Sequence, residues 1–135
     1  NANDRGTTRG GLFAEVARAL ARAAEAMGRA PEMVAGPGRF TTRLIAATRG
    51  RVVGKEGAEG FYAMAVLGPV ALGIAFKVAD GGERGRDGVA LEILRQMGSL
   101  SAEEFAELED VYRPVIRNVR GRGYKQNSVS SNTSR

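Results

Sequence analysis

RVVGKEGAEGFYAMAVLG, residues 51–68, sets Lys55-Glu56-Gly57 and Ala58-Glu59-Gly60 between two apolar runs. Residues 51–54 read as one strand and 60–67 as a second. The second carries Phe61, Ala63, Ala65 and Leu67 on one face and Tyr62, Met64 and Val66 on the other. Both faces are apolar, which is the pattern of a central strand. After a turn at Gly68-Pro69, residues 72–78, LGIAFKV, read as a third strand. Short links between consecutive strands imply antiparallel hairpins.

This stretch also holds the candidate chemistry. Lys55 stands where an apolar strand ends, on the border between core and solvent. Glycines beside it permit close approach of another backbone or a ligand. Lys77 lies inside the third strand, between Phe76 and Val78. A lysine there is costly unless its ammonium reaches water, a carboxylate or a ligand anion. Two readings follow: a plain tight turn at the strand end with Lys55 in water, or convergence of Lys55, Lys77 and Glu59 at one edge of the sheet, where a carboxylate-bearing substrate would bind.

The flanks read as helical. From Leu12, the residues Leu12, Val16, Leu20 and Ala24 form one stripe, with Phe13, Ala17 and Met27 beside it and Arg18, Arg22 and Glu25 elsewhere. Gly28 and Pro31 mark the stop. Residues 31–40 read as a turn-rich connection, and Thr41 or Thr42 as the cap of a short helix holding Leu44, Ile45 and Ala46. Residues 80–88, DGGERGRDG, read as a loop. Beyond it Val89, Ala90, Ile93, Leu94 and Met97 mark a helix ending at Gly98. Ser101 with Glu104 forms a capping box for a last helix through Phe105, Leu108, Val111 and Tyr112. The expected class is α+β: an antiparallel sheet of about three strands with helices packed on it. Residues 1–10 read as a loose lead-in, 11–118 as the domain, and 119–135 as a basic, disordered tail.

Composition narrows the chemistry. The 135 residues include no cysteine and no histidine. That removes disulfides, thiolate metal ligands, the commonest general base and the commonest metal ligand. Chemistry must come from hydroxyls, lysine, tyrosine or carboxylates. The net charge is +5, yet six basic residues after Val111 stand with no acid, and the rest of the chain sums to −1. The excess belongs to the tail. Nucleic acid is not favoured as a partner, because base-stacking aromatics are absent there except Tyr124. No apolar run reaches membrane length, and no signal peptide is visible, so the expected location is cytoplasmic.

Two motifs are decoys. Gly82 to Gly88 lies between strand and helix, but it lacks the Gly-Lys-Ser/Thr ending of a phosphate loop, and Glu83 and Asp87 repel phosphate. The run Glu103, Glu104, Glu107, Glu109, Asp110 reads as a solvated helix face rather than a cation site.

Lys-x-Gly at a strand end, followed by a hairpin strand and a C-terminal helix, resembles the third motif of the serine β-lactamase and penicillin-binding fold. GKEGAEGFYAMAV is also similar to the corresponding segment of glutaminases of that fold. MVAGPGRFTTRLIAA, KEGAEGFYAMAVLG and LGIAFKVADGGERGRDGVALEILRQMG together resemble the C-terminal half of the bacterial type II L-asparaginases of the Rhizobium kind, over roughly residues 10–118. The resemblance implies hydrolysis of the asparagine side-chain amide to aspartate and ammonia. It implies Lys55 and Lys77 as catalytic residues, and Gly57, Glu59, Gly60 and Arg39 as substrate-binding ones. It also implies a serine nucleophile in Ser-x-x-Lys and a zinc site using cysteine and lysine, both mainly in an N-terminal half. No serine here has a lysine three residues on, and the family's cysteine falls at Ala63, so no zinc or other cofactor is expected in this chain. An isolated chain of this kind would be inactive, with the N-terminal half as its partner. Competing readings are a glutaminase- or β-lactamase-like relative, and a catalytically silent interaction module. An unfinished sheet edge favours a homo-oligomer.

Overall fold

The computed structural model describes residues 9–112, 116–117 and 123–124. Three strands come first in importance: β1 (Val52–Glu56), β2 (Phe61–Val66) and β3 (Leu72–Lys77). They pair antiparallel in the order β1-β2-β3, so β2 is central, as its two apolar faces require. The register sets Gly54 opposite Met64 and Glu56 opposite Tyr62, and β2 then sets Met64 opposite Ile74 and Tyr62 opposite Phe76. Cross-strand partners share a face. One face therefore carries Val52, Gly54, Glu56, Tyr62, Met64, Ile74 and Phe76. The other carries Val53, Lys55, Phe61, Ala63, Ala65, Gly73, Ala75 and Lys77, and of these only Val53 is buried.

Helices cover the first face. Around the sheet run α1 (Arg9–Arg29), α2 (Pro31–Ala35), α3 (Phe40–Ala47), α4 (Glu83–Gln96), α5 (Ala102–Ala106) and α6 (Glu109–Tyr112). Phe40 and Leu44 of α3 and Ala90, Leu91 and Leu94 of α4 close with Val52, Tyr62, Met64 and Leu108 into one core. Leu44, Val52, Tyr62, Leu91 and Leu94 are fully buried. Burying side chains of this size contributes roughly 1.5–3 kcal/mol each. The architecture is α+β, with its helical layer on one side of a three-stranded antiparallel sheet.

Several local expectations are corrected. The stretch 80–88 is a loop only at its start, because α4 begins at Glu83. Asp80 accepts a hydrogen bond from the Gly82 N–H at 2.8 Å, which organises the entry to the helix. Neither Thr41 nor Thr42 caps α3, whose N-cap is Arg39 with no side-chain cap bond. Thr42 instead donates to the Gly36 carbonyl at 2.6 Å, tying α3 to the preceding turn. The connection 31–40 contains the one-turn α2, started by Pro31. The capping box of Ser101 and Glu104 is present on α5. The apolar stripe of α1 is mostly in water: Leu12, Phe13, Val16 and Leu20 are exposed. In the stretch read as a disordered tail, β5 (Gly123–Tyr124) pairs with β4 (Ile116–Arg117). The rest of 119–135, most of the lead-in 1–10, and Pro114 lie outside the described residues.

Candidate active site on the open face of the sheet

The β1–β2 hairpin explains the crowded stretch that separates its strands. The Phe61 N–H donates to the Ala58 carbonyl at 3.2 Å, closing a turn whose central residues are Glu59 and Gly60. Both have positive φ, 56° and 72°. Two left-handed residues in a row are the signature of the tight hairpin turn that suits strand twist. Glycine adopts that conformation freely; for Glu59 it costs on the order of 1–2 kcal/mol. Gly60 is also needed for space, since a Cβ there would lie 3.2 Å from both the carbonyl oxygen and Cβ of Val78. The Val78 N–H donates to the Gly60 carbonyl at 3.1 Å, so the turn is fixed to the end of β3. Gly57 is similarly constrained, because a Cβ would stand 2.8 Å from Phe61 Cδ1.

This geometry delivers Glu59 to Lys77. The Lys77 ammonium donates to Glu59 Oε2 at 2.8 Å, across eighteen positions of sequence. The Lys77 side chain is 55% exposed and that of Glu59 77% exposed. Lys77 pairs in register with Phe61, and Lys55 pairs with Ala63. The two lysines therefore share the open face, on the two strands that flank β2. By strand spacing their Cα positions stand about 12 Å apart. They do not converge directly. The Lys55 ammonium donates to the Glu56 carbonyl at 3.2 Å and lies 3.5 Å from Glu56 Oε2.

Arg39 lies with the opposite, helix-covered side. Its guanidinium is 3.7 Å from Glu56 Oε1. One carboxylate thus gathers Lys55 and Arg39 at the β1 edge, while another holds Lys77 at the hairpin. Burial works to raise the Glu56 carboxyl, but hydrogen bonds from its own backbone and from Thr41, with the Lys55 charge, hold it below the usual range. Thr41 Oγ1 donates to Glu56 Oε2 at 3.0 Å and lies 2.9 Å from Tyr62 Oη. Burial pushes the Tyr62 hydroxyl up to about 12. Arg86, almost fully buried, lies over the Tyr62 ring at 6.0 Å and donates to Asp87 Oδ1 at 3.0 Å. Burial holds the Asp87 carboxyl above its ordinary value despite that arginine.

Reasoning from sequence missed this Thr41–Glu56–Tyr62 network. The signal was the strand period: Glu56 has the parity of Val52 and Gly54, an acid on the buried face. Gly54 was also missed, although a Cβ there would lie 2.7 Å from Tyr62 Oη.

The acidic run is structural. Glu104 binds Arg51 at 2.6 Å and Asp110 binds Arg43 at 2.6 Å, tying α5 and α6 to the strand and helix before them. A groove of about 640 Å³ between Arg49, Arg51, Glu103 and Glu104 lies at the far end of the sheet from Lys77. Among the described residues no group of three or more carboxylates is placed to hold a metal ion. With no cysteine or histidine in the chain, the cysteine-containing zinc site implied by the resemblance does not fit these residues. No helix among them is long and apolar enough to cross a membrane.

Fold and site together define an α+β chain that presents lysine and carboxylate pairs on an open antiparallel sheet. The family model for L-asparaginase II matches residues 4–127, and the chain belongs to that family. The family implies an amide substrate such as asparagine. A search of curated proteins found no match.

Proposed function

We propose that the chain supplies the charged half of an L-asparaginase active site, hydrolysing the side-chain amide of asparagine to aspartate and ammonia. The observation that carries this reading is the Lys77–Glu59 pair, at 2.8 Å on an open sheet face and held by a left-handed glutamate. Opposite charges at this spacing fit the zwitterionic end of a free amino acid. The ammonium of Lys77 receives the α-carboxylate, and the carboxylate of Glu59 receives the α-ammonium. Lys55, farther along the same face, then lies toward the side-chain amide. Its positive charge stabilises the oxyanion that forms when the amide carbonyl is attacked.

The nucleophile is not among these groups. Thr41 is 2% exposed and engaged with Glu56 and Tyr62, so no substrate reaches it. Ser99 and Ser101 stand beside Arg51, at the other end of β1. The proposed role of the described residues is to bind, orient and stabilise charge, with the attacking group supplied from outside them.

The test is a ¹⁵N-correlation titration of the chain with L-aspartate, an inert product. Shifts at the Glu59, Gly60 and Lys77 amides that are lost in Lys77→Ala support the proposal. L-Glutamate binding more tightly than L-aspartate favours the glutaminase-like alternative. No shift at these amides with any of asparagine, aspartate, glutamate or a β-lactam contradicts the site.

A further inference from the structure

The two lysines of the open face are held by carboxylates of different kinds. Glu59, the partner of Lys77, stands in water at the tip of a turn, with its side chain 77% exposed. Glu56, beside Lys55, is built into the covered side of the sheet, with its side chain 12% exposed.

The direction of the hydrogen bonds around Glu56 follows from the number of donors. An ionised carboxylate only accepts. Thr41 Oγ1 has one proton and donates it to Glu56 Oε2 at 3.0 Å. The 2.9 Å contact between Thr41 Oγ1 and Tyr62 Oη therefore has Tyr62 as its donor. Tyr62 keeps its proton at neutral pH, because burial pushes the hydroxyl up to about 12. Its ring centroid lies 6.0 Å from that of Phe40 and 5.9 Å from that of Phe76, and the residue has no exposure. A hydrogen-bond chain of one polarity thus leads from the packed core to one carboxylate oxygen and fixes it there.

Lys55 meets that oxygen from outside. Its backbone pairs with Ala63 and belongs to the open face, but β1 is an edge of the sheet. The side chain bends round that edge. It donates to the Glu56 carbonyl at 3.2 Å and brings its ammonium to 3.5 Å from Oε2. Arg39 stands 3.7 Å from the other oxygen, Oε1. An ion pair at a surface gains little when two long side chains must both be immobilised. Here the carboxylate is immobile already, and only the lysine loses freedom.

We propose that Glu56 is a positioning residue for Lys55: the chain Tyr62–Thr41–Glu56 holds the ammonium at the rim of β1 before a substrate arrives. The inference rests on the proposed role of Lys55 in stabilising the oxyanion. A charge set in place beforehand does so without reorganising at the moment of reaction. Gly54 then serves the site as well, since a Cβ there would lie 2.7 Å from Tyr62 Oη and displace the start of the chain.

The 135 residues include three lysines, Lys55, Lys77 and Lys125, so each ammonium can be followed by ¹⁵N relaxation of the ligand-free chain at mildly acidic pH. The Lys55 ammonium should be ordered. Glu56→Gln and Thr41→Val should each release it, and Thr41→Ser, which keeps the hydroxyl, should not. Thr41→Val is the sharper variant, because it leaves both charges in place and removes only the anchor. An unchanged Lys77 signal and far-ultraviolet dichroism show that each variant is folded; where Thr41→Val is not, Glu56→Gln decides. Lys55 order that survives either substitution in a folded chain overturns the proposal, as does a Lys55 ammonium already mobile in the unsubstituted chain. A ligand comparison gives a second readout. L-Aspartate has a side-chain carboxylate for Lys55 and L-alanine has none, so Glu56→Gln should lower the preference for aspartate by about threefold to fivefold. A preference that rises would make Glu56 a competitor for the ammonium and overturn the positioning role. Failure of both amino acids to bind the unsubstituted chain overturns the proposed function and with it the use of the tether, whereas a mobile Lys55 overturns the tether alone.

Discussion

The two faces of one sheet differ more than any two separate regions of this molecule. Alternate residues of the same strands do opposite things. Val52, Tyr62 and Met64 face the helices and are buried, whereas Lys55, Phe61 and Lys77 one position away face outward and are exposed. The covered face holds the fold together, and even its polar groups serve that end: Glu56, Thr41 and Tyr62 satisfy each other. Apart from Val53, which is buried, the open face is lined by small residues, the exposed Phe61 and two exposed lysines. A strand whose side chains alternate between faces can hold a core with one set and present chemistry with the other.

This contrast is most severely tested by substitutions on the covered face. Leu94→Ala, at a site with no exposure, should destabilise the chain by about 2–5 kcal/mol in denaturant unfolding. A loss below 1 kcal/mol would mean that the helical layer is not packed as described. Gly54→Ala drives a methyl group against the Tyr62 hydroxyl and should cost about 1–3 kcal/mol, although alanine has the better backbone propensity. A neutral result would show that Tyr62 is not fixed.

Thr41→Val tests the polar part of that face and should cost about 1–2 kcal/mol at neutral pH, because it leaves Tyr62 and Glu56 without their shared hydroxyl. The cost should depend on pH. Glu56 is held below its ordinary value of 4.5 in the fold, so its stabilisation is complete above that value and is lost as pH falls through the folded one. Thr41 is one of the groups that holds it there. The Thr41→Val penalty, measured by thermal unfolding, should therefore shrink as Glu56 protonates. A penalty constant from neutral to acidic pH would remove Glu56 from the network.

Much of this division was legible in sequence because both signals are periodic. Alternation along Phe61–Val66 marked a central strand, and Lys77 inside an apolar strand marked a charge that must find a partner. It found Glu59. What could not be read was tertiary. Gly85 and Gly88 made residues 83–88 look like loop, yet packing of Leu91 and Leu94 carries the helix through them. Capping is local, so sequence offers Thr41 or Thr42 as a cap, whereas the partners of Thr41 lie fifteen and twenty-one positions away. Periodicity marks the α1 stripe as apolar but does not say which surface covers it, and Leu12, Phe13, Val16 and Leu20 are exposed. The lysines were expected to converge; the register places them on one face and leaves each with its own carboxylate.

The central claim, that the open face carries the ligand chemistry and not the stability, is tested most directly by Lys77→Ala, with unfolding free energy and L-aspartate affinity measured on the same sample. An exposed ion pair contributes at most about 1 kcal/mol, so unfolding should barely change, while affinity should fall by about tenfold or more. Affinity that survives the substitution, or stability that collapses with it, would contradict the assignment of this face.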